Sequence, residues 1–141
     1  MSFKFEKLEV WRMALEYIDI IYALANLLPK SEEYNLKTQL TRAATSIALN
    51  IAEGSTGQTD AEQGRFIGLA IRSLIETVAC MRIIQRRAFP VDEKVLQQAI
   101  QATEPFAIKL QAFRKAIAPN QQWLREEQQA YSLPEADSVT E

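Results

Sequence analysis

The chain has no histidine, one cysteine, four glycines and five prolines among its 141 residues. Each scarcity closes off a class of function or fold. Without histidine the commonest general base and metal ligand are missing, so Ser–His and Cys–His catalysis and ordinary zinc sites lack a needed part. The single Cys80 stands in an apolar run with Val78, Ala79 and Met81. It has no intrachain partner and predicts a reduced, cytoplasmic setting. Neither a histidine nor a helix start is near enough to lower its pKa, so it reads as core. Few glycines and prolines, with Ala, Leu, Ile, Gln and Glu abundant, favour helices over the many turns of an all-β domain. No uncharged stretch approaches the ~20 residues of a membrane span, and the first seven residues do not read as a secretory signal. The expectation is a protein neither secreted nor membrane-spanning.

What is present is enough apolar material for a sizeable single core: 48% of the residues are hydrophobic. The net charge of −2 conceals two unlike parts. Residues 1–118 carry 15 basic and 13 acidic groups, whereas residues 119–141 carry only Arg125 against five acids. The first part reads as a folded domain. The second, rich in glutamine and acid, reads as a partly disordered tail with at most a short helix from Gln121 to Ala130. A body so close to neutral is not the strongly basic domain of a dedicated nucleic-acid binder.

Apolar positions alternate at three and four through four segments, the spacing of a helix face. From Leu8 to Leu28 two such seams run side by side: Leu8, Trp11, Leu15, Ile18, Tyr22 and Ala25, and Val10, Ala14, Tyr17, Ile21, Leu24 and Leu28. That arc is wider than one core requires, which predicts a second apolar partner; Trp11 and Tyr22 are read as core. Pro29 ends this helix, and Ser31 is the candidate cap of a second running from about Glu32 to Glu53. Gly54 is placed to leave that helix in a left-handed conformation. Thr59 and Glu62 form a capping-box pattern for a third helix reaching about Arg87. Asp92 caps a fourth, which Pro105 should kink or split near Glu104. The predicted fold is all-α: an antiparallel up-down-up-down four-helix bundle with a kinked fourth helix and a short C-terminal tail.

Residues 42–54 are the most distinctive stretch. Ala43, Ala44, Ser46, Ala48 and Ala52 allow another helix to approach closely, while Arg42, Ser46, Leu49 and Glu53 share one side. Asn50 falls on the apolar seam of Leu36, Leu40, Ala43 and Ile47, where a polar group must find hydrogen bonds and can fix register or subunit geometry. Arg42, Ser46, Asn50, Glu53 and Gly54 therefore read as a structural or interface motif, with Arg42 and Glu53 candidates for pairing across an interface.

Three segments together carry a resemblance: Phe5 to Ala14, Arg42 to Gly54, and Glu62 to Ala70 followed by Ser73-Leu74-Ile75-Glu76. Over roughly residues 3–117 the chain resembles the four-helix-bundle family of bacterial 23S rRNA intervening-sequence proteins, to which the accessory variability protein of diversity-generating retroelements is related. The resemblance implies a non-enzymatic bundle that assembles as a ring-like homopentamer. It also implies RNA or DNA, a reverse transcriptase or another protein as partner. No cofactor or metal is expected, since the sequence shows no metal-ligand cluster. Members often carry basic residues after the Glu-Gly pair; Ser55 to Asp60 contain none here.

On the third helix, Arg65, Arg72, Arg82 and Arg86 fall within about 100° of one another, a candidate phosphate-facing stripe that Arg87 extends. Glu62 and Glu76 stand three or four residues from Arg65 and Arg72, where ordinary intrahelical ion pairs form. A solvated or subunit-facing role for the stripe therefore stays open, as does a purely structural assembly with no nucleic-acid role. A carboxylate and metal enzyme built on Glu53 and Glu76 is the rival from another class. Bundle di-iron sites usually need a Glu-x-x-His pair, which this chain cannot supply.

Overall fold

The computed structural model describes residues 1–57 and 59–119. Four α-helices hold most of them: α1 (Glu9–Ala25), α2 (Leu36–Gly54), α3 (Asp60–Arg87) and α4 (Glu93–Ile117), with short 3-10 turns at Lys4–Lys7 and Lys30–Glu32. No strand occurs among the described residues. Each helix packs on its neighbours in the chain, and α1 against α4 closes the circle. The core is the set of inward seams: Ala14, Tyr17, Ile21 and Leu24 from α1, Leu40, Ala44, Ile47 and Ile51 from α2, Ile67, Ile71 and Leu74 from α3, and Ala99, Phe106 and Leu110 from α4. Each fully buried leucine, isoleucine or phenylalanine contributes roughly 1.5–3 kcal/mol. No helix among the described residues is long and apolar enough to cross a membrane.

The helix starts follow the cap chemistry. Thr59 Oγ1 accepts the N–H of Glu62 at 3.1 Å, and Asp92 Oδ1 accepts that of Lys94 at 2.8 Å, each filling one orphan donor of a first turn. The start of α2 differs from expectation. Ser31 lies in the 3-10 turn that follows Pro29, and the helix begins at Leu36 after Asn35, whose backbone is non-helical at φ −127° and ψ −99°. Local polar contacts around Glu33 hold the intervening turn: Thr38 Oγ1 donates to its carbonyl at 2.7 Å, and Lys37 Nζ lies 2.9 Å from its carboxylate.

Of the two breaker residues, Gly54 acts otherwise than expected and Pro105 leaves its helix unsplit. Gly54 remains inside α2, and the chain leaves through Ser55 in right-handed conformation. Space, not backbone freedom, requires the glycine: a β-carbon there would lie 2.9 Å from Cβ of Phe66 and 3.3 Å from the carbonyl oxygen of Gln63. The left-handed cap is instead Ala88, at φ 53° after α3. Pro105 does not split α4, which continues from Glu93 to Ile117. Pro105 and Gln101, whose carbonyl loses its helical partner, both lie on the exposed side, where water can take the place of the missing bond.

The seam beside the core on α1 is not core throughout. Leu15 and Tyr22 are 43% and 42% exposed, while Trp11 is partly buried and meets Phe5 edge-on at 4.6 Å. The three-and-four pattern identifies an apolar face but not whether the same chain covers it.

Polar groups tie the core together at two levels. The Tyr17 hydroxyl lies 2.8 Å from Thr77 Oγ1 and 2.9 Å from Thr103 Oγ1, joining α1, α3 and α4. Thr77 and Thr103 also reach helix carbonyls, at 2.5 Å to Leu74 and 2.8 Å to Ala99. Three hydroxyl protons thus serve four contacts, so one contact lacks a proton at any instant and the network can rearrange. Burial pushes the Tyr17 pKa up, opposed by its bonds to Thr103 and Thr77. Nearer the end of α4, Arg114 is 1% exposed and its Nε donates to the carbonyl of Gly64 at 3.0 Å.

Candidate nucleic-acid interface

All five arginines of the predicted stripe, Arg65, Arg72, Arg82, Arg86 and Arg87, lie on α3 and are exposed. At 1.5 Å per residue they extend over about 30 Å. Neighbouring groups steady several of them. Arg82 Nη1 donates to Gln85 Oε1 at 2.8 Å; the Arg65 guanidinium lies 5.6 Å from the Phe66 ring centre, and that of Arg87 6.0 Å from the Phe89 ring. From Arg65 to Arg87 the only acid is Glu76, giving this stretch a formal charge of +4. Ile75 and Ile83, 39% and 47% exposed, interrupt the cations with apolar surface.

Beside this face, a groove of about 550 Å³ opens between the start of α2 and the second half of α3, with Leu36, Gln39, Glu76, Ile83, Arg87 and Phe89 on its walls. Cys80 forms part of its floor and is 5% exposed. Burial first, and the charge of Glu76 second, push its thiol pKa up, so the thiolate is disfavoured.

The small-residue motif of α2 separates into parts. Asn50 Nδ2 donates to the Ser46 carbonyl at 2.9 Å and to Ser46 Oγ at 3.1 Å, while Ser73 Oγ donates to Ser46 Oγ at 3.0 Å. Ser46 therefore gathers donors from its own helix and from α3, and Ala43, Ala44 and Ala48 are buried around it. Arg42 and Glu53 are exposed. Arg42 borders a shallow hollow of about 270 Å³ with Tyr22, Thr45 and Leu49. Leu49 is 56% exposed, so with Tyr22 the hollow presents apolar surface from both α1 and α2; Leu15, seven residues before Tyr22 on α1, is exposed as well.

The carboxylates of the enzyme rival do not form a metal-binding group. Glu53 is in the last turn of α2, by the Gly54 contact with Gln63, whereas Glu76 lines the groove beside Leu36. Among the described residues no group of three or more His, Cys, Asp or Glu is placed to hold a metal ion. Sequence periodicity missed Arg114, because a cation on an inward helix face violates the pattern. The signal available was Gly64 and Gly68, one turn apart on α3, leaving room for a large group on another helix.

The family model for 23S rRNA-intervening sequence proteins matches residues 6–112. The chain belongs to this family. Its fold is also that of a crystal structure of a protein of unknown function from the S23 ribosomal protein family of Bacteroides thetaiotaomicron. That match has a TM-score of 0.67 and 21% identity, and covers 75% of this chain and 98% of the other. No curated protein matches the chain. The family match spans all of α1, α2 and α3 and most of α4, including both the arginine face and the Ser46–Asn50 motif.

Proposed function

We propose that this family member is a non-catalytic, cytoplasmic, self-assembling bundle that acts as a scaffold or accessory factor for nucleic acid, or for a nucleic-acid enzyme such as a reverse transcriptase. The observation that carries the reading is the exposed arginine face of α3. A row of guanidiniums on one rigid helix suits contact with phosphates, and such contacts position a nucleic acid without reading its sequence. Arg86 and Arg87 have no acid within four residues in the chain and are the leading contacts.

The exposed Leu15, Tyr22 and Leu49 support self-association, since large apolar side chains clustered on one face gain by burial against another copy. A homopentamer is the form proposed. Repetition around a ring multiplies a local charge of +4 into a polyvalent surface, so a nearly neutral subunit still attracts a polyanion. The retroelement accessory role is the more specific version of this reading, and a reverse-transcriptase gene beside this one would favour it.

The test is binding of the purified full-length chain to labelled single-stranded and duplex RNA and DNA at low salt. Binding that weakens steeply with added salt supports the reading. Undetectable binding to every probe overturns its nucleic-acid arm and leaves a protein assembly.

A further inference from the structure

We infer that the groove between the start of α2 and the second half of α3 takes one unpaired guanine, from a strand whose phosphates rest on Arg86 and Arg87. The inference rests on the reading of those arginines as phosphate contacts and names what enters beside them. Size and surface suit a base. The groove offers about 550 Å³, within the ordinary range of ligand sites, over Leu36 and Cys80, each only 5% exposed. Ile83 and Phe89 add apolar walls against which a flat ring can lie.

The charged groups decide which part of a nucleic acid enters. Those lining the groove are Glu32, Glu76 and Arg87, so carboxylates outnumber the cation and a phosphate is disfavoured inside. Arg87 also ends the arginine face, and its contact with the Phe89 ring at 6.0 Å keeps it at the rim. A phosphate can therefore stay outside while its base lies within. Glu76 and Arg87, eleven residues apart, stand within about 20° of each other and about 16 Å apart along the axis, a span that their side chains shorten to the scale of one nucleotide.

Guanine follows from the hydrogen-bonding groups left unused. Glu32 already accepts from Asn35 Nδ2 at 3.0 Å, whereas the side chains of Glu76 and Gln39 make no hydrogen bond or ion pair among the described residues. A carboxylate only accepts, through two oxygens side by side. Among the bases, guanine presents the matching fork of two adjacent donors, N1–H and the 2-amino group, and the Gln39 amide supplies a donor for its O6 acceptor. That edge is free only in an unpaired base, so the groove selects single strands over duplex.

The experiment uses the full-length chain and short labelled strands of thymine (as DNA) or uracil (as RNA) in three forms: unaltered, with one central guanine, and with an abasic site in its place. At low salt the single-guanine strand of either backbone is expected to bind about tenfold more tightly than the other two, the scale of one bidentate base contact. Glu76→Gln, at an exposed position outside the core, should bring that ratio to about one without weakening the abasic strand. Equal affinity of the native chain for all three forms overturns the inference and leaves the arginine contact standing; a ratio unchanged by Glu76→Gln overturns it too. Guanosine 5′-monophosphate alone, followed by saturation-transfer NMR at its H8 proton, gives a readout independent of strand binding. A signal that Glu76→Gln abolishes, with no strand bound, upholds the groove and sinks the polyanion site. No signal and no strand bound overturns both.

Discussion

The guanidinium of Arg114 fills the space that a β-carbon at Gly68 would need: Cζ lies 2.6 Å from where that carbon would stand. One turn earlier, Gly64 supplies the carbonyl that accepts from Arg114 Nε. The two glycines thus receive a side chain from α4, and the end of α4 is fastened to α3 through a buried cation.

Replacing Gly68 with alanine should therefore destabilise the protein by about 1–3 kcal/mol, the usual cost of overpacking a filled site. Helix propensity alone predicts the opposite sign, since alanine is the better helix former. Chemical denaturation of the Gly68→Ala chain decides between them. Adding Arg114→Leu should recover part of the loss, because the obstructing guanidinium is gone and the two positions couple.

The Tyr17 hydroxyl makes a second prediction. Its folded-state pKa lies above the ordinary tyrosine value of 10.0 because burial disfavours the phenolate. The resulting stability is fully present below that ordinary value and is lost as pH rises from there through the folded pKa, since the unfolded chain releases the proton first. The Tyr17→Phe variant should be about 1 kcal/mol less stable near neutrality. The gap between the two proteins should shrink in denaturation series taken above pH 10.0. A gap independent of pH would contradict this account.

Ala88 has φ 53°, in the left-handed region that favours glycine. Ala88→Gly should stabilise the chain by about 1 kcal/mol, a rise of about 4 °C in Tm for a domain of this size. Calorimetry checks it; a fall in Tm would show that the flexibility gained by the unfolded chain outweighs the relief.

Self-association is open to a direct surface test. Leu49→Glu places a charge at the centre of the exposed apolar face without entering the core, so helical content should be preserved while the measured mass in light scattering falls toward the 16.0 kDa of one chain. An unchanged mass would move the contact elsewhere.

The pattern of apolar residues was sufficient to locate the four helices, because each inward seam is long and regular, and Thr59 and Asp92 announce their caps through side chains that accept backbone N–H bonds. Gly54 was misread because a glycine at a helix end serves either a left-handed turn or a close approach, and only its distance from Phe66 tells which. Tyr22 was misread because a helix seam looks the same whether its partner is in this chain or another. The arginine face was legible as a 100° periodicity on α3, as was the polarity of Ser46 and Asn50. Their mutual bonds, and the inward turn of Arg114, depend on a second helix and so escape a single-helix reading.

The central claim, that the exposed guanidiniums of α3 contact phosphates, is tested most directly by the salt dependence of oligonucleotide binding in the native chain and in Arg86→Glu, Arg87→Glu. Loss of two phosphate contacts should weaken binding at low salt and make the plot of log affinity against log salt shallower by about 2, while the assembly mass stays the same. An equal slope and affinity in the two proteins would contradict the account.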